Sequence, residues 1–258
     1  MLKYTFCHID GLSVDAEKVL WNKGIICWDD YLRCSSNIFS PSKDKSIRHQ
    51  LGISRLAMDA NSVDFFLSRL NNEQAVRIYP QFRKKTVFLD IETTGLSIKK
   101  DQITTIALYD GQSVKNYVNG KDLWQFVADI SKYTIIVTYN GTKFDIPFIR
   151  KYFKISLNHF HIDLCPVLRR IGYKGGQKMC EKKLGLHRQI KDIDGVKAVE
   201  LWDLYKKKDD LEALNNLILY NSQDVLSLEH LIIKSYNLVM QDCPVSTKIL
   251  LTKQPLLI

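Results

Sequence analysis

The chain lacks the marks of several protein classes. No apolar run reaches the roughly 18 residues that a membrane-spanning helix needs, so no membrane span is expected. The N-terminus, Met-Leu-Lys-Tyr-Thr-Phe-Cys-His, does not have the pattern of a signal peptide. Six cysteines are present (Cys7, Cys27, Cys34, Cys165, Cys180 and Cys243), but they form no C-x-x-C pair and no regular framework. That spacing argues against structural zinc and a disulfide scaffold, and reduced thiols in a cytoplasmic protein are the expectation. Internal repeats and low-complexity segments are absent too.

What the sequence has in excess is positive charge. Lys and Arg number 37 against 28 Asp and Glu, a formal net charge of +9 with pI ≈ 9.1. Apolar residues make up 45% and charged residues 25%, an ordinary globular balance. At 258 residues the chain can hold one sizeable core and a smaller second unit. A basic body around an acidic site points to a polyanionic substrate whose reacting group still needs a cation.

The first acidic stretch is Thr86-Val-Phe-Leu-Asp-Ile-Glu-Thr-Thr-Gly95. It reads as a buried strand that ends in two acids. Asp90 and Glu92 alternate with Leu89 and Ile91, so on a strand both carboxylates point to one face. Side by side they repel each other and lose hydration, and a hard divalent metal is the natural compensation.

Upstream, residues 1–82 read as a mostly helical region. Ile9-Asp-Gly-Leu-Ser13 precedes a helical pattern at Ala16–Trp21, Gly24 fits a helix C-cap, and a second helix starts near Trp28. The layout resembles a single helix-hairpin-helix element, with Ser13 in place of the second turn glycine and Asp15 in place of the usual basic residue. It is read as a packing module, with DNA backbone contact as the alternative. Residues 35–45 read as a polar linker, followed by helices at 46–61 and 63–70. Arg69, Arg77, Arg83, Lys84 and Lys85 read either as a basic approach to the strand or as a solvated connection.

From Thr86 the pattern is α/β. Strands are expected at 102–109 and 113–118 around an Asp110-Gly111 turn. A helix at 122–130 and a buried strand at Thr134–Thr138 follow. That strand runs into Tyr139-Asn-Gly-Thr-Lys-Phe-Asp145, where Asp145 opens a helix at a strand end, the place where ligands gather in such sheets. Late in the chain, Tyr220 and Asp224 stand four apart on one helix face.

Taken together, the segments at 89–95, 139–145 and 220–224 resemble the three signature motifs of the DEDD exonuclease superfamily. Tyr220, four before Asp224, resembles the DEDDy branch; the DEDDh branch would place histidine where Leu219 stands. The second motif is similar to the proofreading domains of family B DNA polymerases. The flanks around His161–Leu164, Lys174–Gly185 and Asp194–Trp202 resemble the YprB-like predicted exonucleases, as does the N-terminal pattern.

This resemblance implies an RNase H-like mixed β-sheet flanked by helices over residues 83–258. It implies that Asp90, Glu92, Asp145 and Asp224 hold two Mg²⁺ or Mn²⁺ ions, with Asp90 bridging, and that Tyr220 orients, or helps deprotonate, the attacking water. The implied activity is 3′→5′ exonuclease on single-stranded ends, with DNA slightly favoured over RNA. A non-catalytic nucleic-acid-binding module and an RNase H-like endonuclease are the alternatives. Thr93, Gly95, Asn140, Lys174 and Lys178 are the expected substrate contacts, while Asp163 reads as a helix N-cap rather than a fifth ligand, and His161, His187 and Arg188 as structural or peripheral.

Overall fold

A computed structural model describes residues 2–186 and 195–252. His187, Arg188 and Asp194 lie outside the described residues. The chain divides into two compact units, Met1–Arg83 with Lys234–Thr252, and Lys84–Ile233.

The first unit is helical: α1 (Val14–Asn22), α2 (Trp28–Arg33), α3 (Pro41–Asp59), α4 (Val63–Leu67) and the short α5 (Tyr79–Phe82). Ser13 caps α1 by accepting from Ala16 N. The helix ends in a Schellman turn, with Gly24 at φ +81° and Ile25 N donating to Leu20 O at 3.0 Å. The expected linker at 35–45 is not one. Ser40 is an N-cap and Pro41 occupies the first turn, so α3 begins five residues before the expected helix start at 46. Asp44, buried in that first turn, accepts from Tyr31 OH at 2.6 Å and from the amides of Ile38 and Phe39, which ties the polar stretch down. Arg77 is neither a basic approach nor a solvated connection. It is buried and donates to the Glu17 carboxylate at 2.6 Å, and Glu17 also accepts from the amides of Phe6 and Cys7.

The second unit is built on a five-stranded sheet in the order β3-β2-β1-β4-β5. The strands are β1 (Thr86–Thr93), β2 (Ile103–Tyr109), β3 (Val114–Val118), β4 (Ile135–Thr138) and β5 (Phe160–Asp163). β1 pairs antiparallel with β2 and parallel with β4, β2 pairs antiparallel with β3, and β4 parallel with β5, so β1 sits at the centre of a mixed sheet. The hairpin after β2 is a four-residue loop, because Asp110 Oδ1 accepts from the amides of both Gln112 and Ser113. Helices α6 (Gln125–Ile130), α7 (Asp145–Phe153), α8 (Leu164–Arg170), α9 (Gln177–Lys183), α10 (Gly195–Lys208), α11 (Leu211–Val239) and α12 (Ser246–Ile249) complete the chain.

Period-2 alternation on β1 decides what each face does. Val87, Leu89 and Ile91 point into an apolar layer with Phe126 and Ile130 of α6 and Ile146, Ile149 and Phe153 of α7. Asp90 and Glu92 therefore emerge on the opposite face, the side from which Tyr109 OH reaches Glu229 of α11 at 3.1 Å. A second apolar cluster seats α11 through Leu214, Leu217 and Tyr220, with Ala198, Leu201 and Trp202 of α10 and Val118 of β3.

Candidate metal centre

Asp90, Glu92 and Asp224 each present a carboxylate oxygen, and these atoms all lie within 4.8 Å of one another. Two come from the end of the central strand and the third from α11, 132 positions further along the chain than Glu92. Asp145 opens α7 beside them. Its Oδ1 accepts from Ile91 N at 3.2 Å, the amide between the two strand acids, so a buried carboxylate is tethered to the strand that carries its partners.

The electrostatics follow from that crowding. Asp90 and Glu92 keep a water-facing edge, yet protein surrounds the rest of each side chain. Burial pushes the Asp90 carboxyl well above the usual carboxylate range, and Asp224, Asp145 and Glu92 add to the push; the Asn221 amide works against it. Burial also raises Glu92, reinforced by Asp224 and Asp145 and opposed by Lys178. Asp145 is raised to about 7, chiefly by burial, with the Ile91 amide pulling the other way. These are groups whose charged forms want a cation.

The donor set fits a hard divalent ion. It is all oxygen, with neither thiolate nor imidazole in the cluster found among the described residues, which suits Mg²⁺ or Mn²⁺ better than Zn²⁺ or Cu²⁺. Beside it, the fully buried Asn221 keeps a side-chain oxygen that has no hydrogen-bond partner among the described residues.

The other expected site residues fall at varied places. Tyr220 is buried next to the cluster; desolvation first, then Asp224, Glu92 and Asp90, push its phenol far above its ordinary value. Lys178 of α9 lies with its ammonium 4.8 Å from the Tyr220 ring centroid. Asn140 is exposed in a left-handed conformation at φ 61°, and its backbone N donates to Asp163 Oδ1 at 2.7 Å. Asp163 is the N-cap of α8, accepting from Cys165 N, and it also takes Thr142 N at 3.1 Å. His161 meets Thr138 Oγ1 at 2.8 Å, a structural contact. Thr93 donates its hydroxyl to Gly95 O at 2.6 Å, and a Cβ on Gly95 would lie 2.6 Å from Asp101 Oδ2, so both belong to a turn gathered around Asp101. Lys174 is exposed, and its carbonyl accepts from Lys183 Nζ at 3.0 Å.

Three residues near this arrangement escaped the sequence reading: Asn221 touches a member of the cluster, while Ser222 and Gln177 tie helices in place. Asn221 donates its side-chain amide to Asp90 Oδ2 at 2.6 Å. Ser222 donates to Asn116 Oδ1 of β3 at 2.9 Å. Gln177 donates to the backbone carbonyl of Asp224 at 2.9 Å and reaches Ser227 Oγ at 2.7 Å, which moors α9 to the helix bearing Asp224. Tyr139 completes the mooring, its hydroxyl donating to Gly175 O at 2.6 Å. Position within Tyr220-Asn-Ser-Gln-Asp224 was the one available signal for Asn221 and Ser222.

Among solved structures, the chain is similar to the family B DNA polymerase of the hyperthermophilic archaeon Pyrobaculum calidifontis, at 15% identity and a TM-score of 0.46, over 65% of this chain and 27% of that one. It is also similar to Brucella melitensis NrnC, at 16% identity and a TM-score of 0.41, over 64% of this chain and 78% of that one. The chain thus spans about a quarter of the polymerase's length. No curated protein sequence matches. Residues 87–236, more than half of the chain and all of the sheet but its first residue, with the acidic cluster, match the family model described as RNase_H superfamily. The chain belongs to the RNase_H superfamily.

Proposed function

We propose that the chain is a metal-dependent 3′→5′ exonuclease of the DEDDy kind, akin to the YprB-like group, acting on single-stranded nucleic-acid ends. One observation carries the metal-dependent part: two carboxylates of the central strand and a third from a distant helix converge within 4.8 Å, at a point where burial and mutual repulsion penalise the charge of Asp90 and Glu92. A protein gains nothing in stability from such a cluster, and a cation removes the penalty. The 3′→5′ polarity rests on the resemblance of the three motifs.

In this reading Asp90, Glu92, Asp145 and Asp224 hold two Mg²⁺ or Mn²⁺ ions. Such ions neutralise charge on a phosphodiester, make a water nucleophilic near neutral pH and stabilise the leaving oxygen. The chain's own residues do the rest. Asp145 is kept in place by Ile91 N. Tyr220, a phenol whose ordinary pKa of about 10 makes it a poor base, serves as an orienting hydrogen-bond donor. Lys178 brings a positive charge to the Glu92 side of the cluster and is the foremost candidate for a phosphate contact. Lys174, Asn140, Thr93 and Gly95 complete the proposed substrate contacts.

A time course on 5′-labelled single-stranded DNA and RNA, with Mg²⁺, Mn²⁺ or EDTA, tests the proposal. A ladder shortening from the 3′ end, absent in EDTA and in Asp90→Ala, is expected, and it reports the sugar preference as well. Cutting of a closed circular strand would replace the reading with an endonuclease. Binding without cleavage in either metal would replace it with a binding module.

A further inference from the structure

We propose that Asn221 is a positioning residue of the acidic cluster: its side-chain amide sets the rotation of the Asp90 carboxylate, and with it the affinity of the site for divalent cations. The inference rests on the metal reading given above.

The bond is short and its direction is fixed by chemistry. Asn221 Nδ2 lies 2.6 Å from Asp90 Oδ2, and an amide nitrogen only donates. Asn221 is fully buried, so no solvent competes for that donor. Asp90 faces Glu92 and Asp224, and an untethered carboxylate there would turn about its last side-chain torsion to move its oxygens away from the other two charges. The amide holds one oxygen against that torque.

A space-filling role explains Asn221 poorly. Its Oδ1 is buried with no hydrogen-bond partner among the described residues, a cost that leucine of similar size would avoid. Docking of α11 does not need the bond either. The helix is seated by Leu214, Leu217 and Tyr220, by Ser222 on Asn116, and by Gln177 on the Asp224 carbonyl. What the Asn221 amide adds, beyond these, is control of one oxygen of Asp90.

The test is Mn²⁺ binding to purified protein, read from the electron paramagnetic resonance signal of free Mn²⁺, for the wild type, Asn221→Leu and Ser222→Ala. Loss of a residue that orients a metal ligand weakens metal binding by about 10- to 100-fold. Asn221→Leu is therefore expected to raise the Mn²⁺ dissociation constant by about tenfold or more. Ser222→Ala, which loosens the same helix turn through β3, is expected to stay within about twofold of wild type, since its hydroxyl touches no member of the cluster. If Asn221→Leu does not fold, Asn221→Ala carries the same comparison in a smaller side chain. Wild-type affinity in the Asn221 variant overturns the inference, and so does an equal loss in Ser222→Ala, which would reduce Asn221 to helix docking. A wild-type chain that binds no Mn²⁺ refutes the metal reading itself, a result distinct from either.

Discussion

Replacing Asp224 by asparagine should make the metal-free protein more stable while removing its response to metal. The substitution keeps shape and deletes one charge from three carboxylates whose oxygens lie within 4.8 Å of one another. Two unit charges at that separation repel by about 3 kcal/mol at an effective dielectric near 20. Asp224 has two such partners, and burial already works against the charge of both Asp90 and Glu92, so only one pair is counted. One pair's worth, about 3 kcal/mol, is the gain expected at pH 8, or roughly 6–12 °C in Tm for a unit of this size. The assay is thermal unfolding of wild type and Asp224→Asn in EDTA and in excess MgCl₂. In EDTA the variant should melt higher. In Mg²⁺ the wild type should rise by the linkage of binding to folding, and the variant should barely move. A variant that melts lower than wild type in EDTA would refute the reasoning, because Asp224 would then be a structural anchor and not a charge awaiting a cation.

The pH dependence has a defined sign. Asp145 is raised to about 7, so between its unfolded value near 3.8 and pH 7 the folded state holds a proton that the unfolded chain has lost. Metal-free protein should therefore gain stability as pH falls from 8 to 5, by about 2.6 kcal/mol from this group alone, and a melting temperature in EDTA that is flat or falling over that range would contradict it. Gln177→Leu removes the amide that moors α9 to the Asp224 carbonyl, a loss of about 1 kcal/mol, and should lower Tm by about 2–4 °C and kcat/KM on single-stranded DNA about fivefold. Gly141→Ala should destabilise by about 2–3 kcal/mol in denaturant titration, since the added Cβ would lie 2.6 Å from Thr138 Cβ and 2.8 Å from its Cγ2. Arg77→Leu leaves the Glu17 carboxylate buried without its counter-charge and should cost about 3–5 kcal/mol in the same measurement.

Much of the second unit can be read from the chain because its signals are local. Strand alternation around Leu89-Asp-Ile-Glu92 fixes which face carries acid, and the apolar run at Ile135–Thr138 marks a strand buried on both sides. The α3 start at Ser40-Pro41 was equally local, an N-cap followed by proline, and lay hidden only inside a stretch whose polarity suggested a linker. β5 is different. It is a four-residue edge strand with two polar side chains, His161 and Asp163, and its pairing to β4 comes from the crossover geometry of α7 rather than from its own composition.

The site divides along the same line, for a chemical reason. The proposed metal centre calls for carboxylates, so Asp90, Glu92, Asp145 and Asp224, its proposed ligands, draw on very few residue types and stand out in a sequence. A residue that orients a ligand need only offer a donor from the right direction, and many side chains can. Asn221 reaches Asp90 across 131 positions, Ser222 reaches Asn116 across 106, and Gln177 reaches the Asp224 carbonyl across 47. Neither periodicity nor spacing couples positions so far apart; only the fold does, by setting α11 across the acid-bearing face of β1. The same reasoning says where the chain tolerates change. For the proposed activity the carboxylates should reject every substitution that alters charge, even the asparagine that stabilises the metal-free fold, whereas position 222 should accept any small side chain and position 221 any residue that presents an N–H to Asp90 from the same direction.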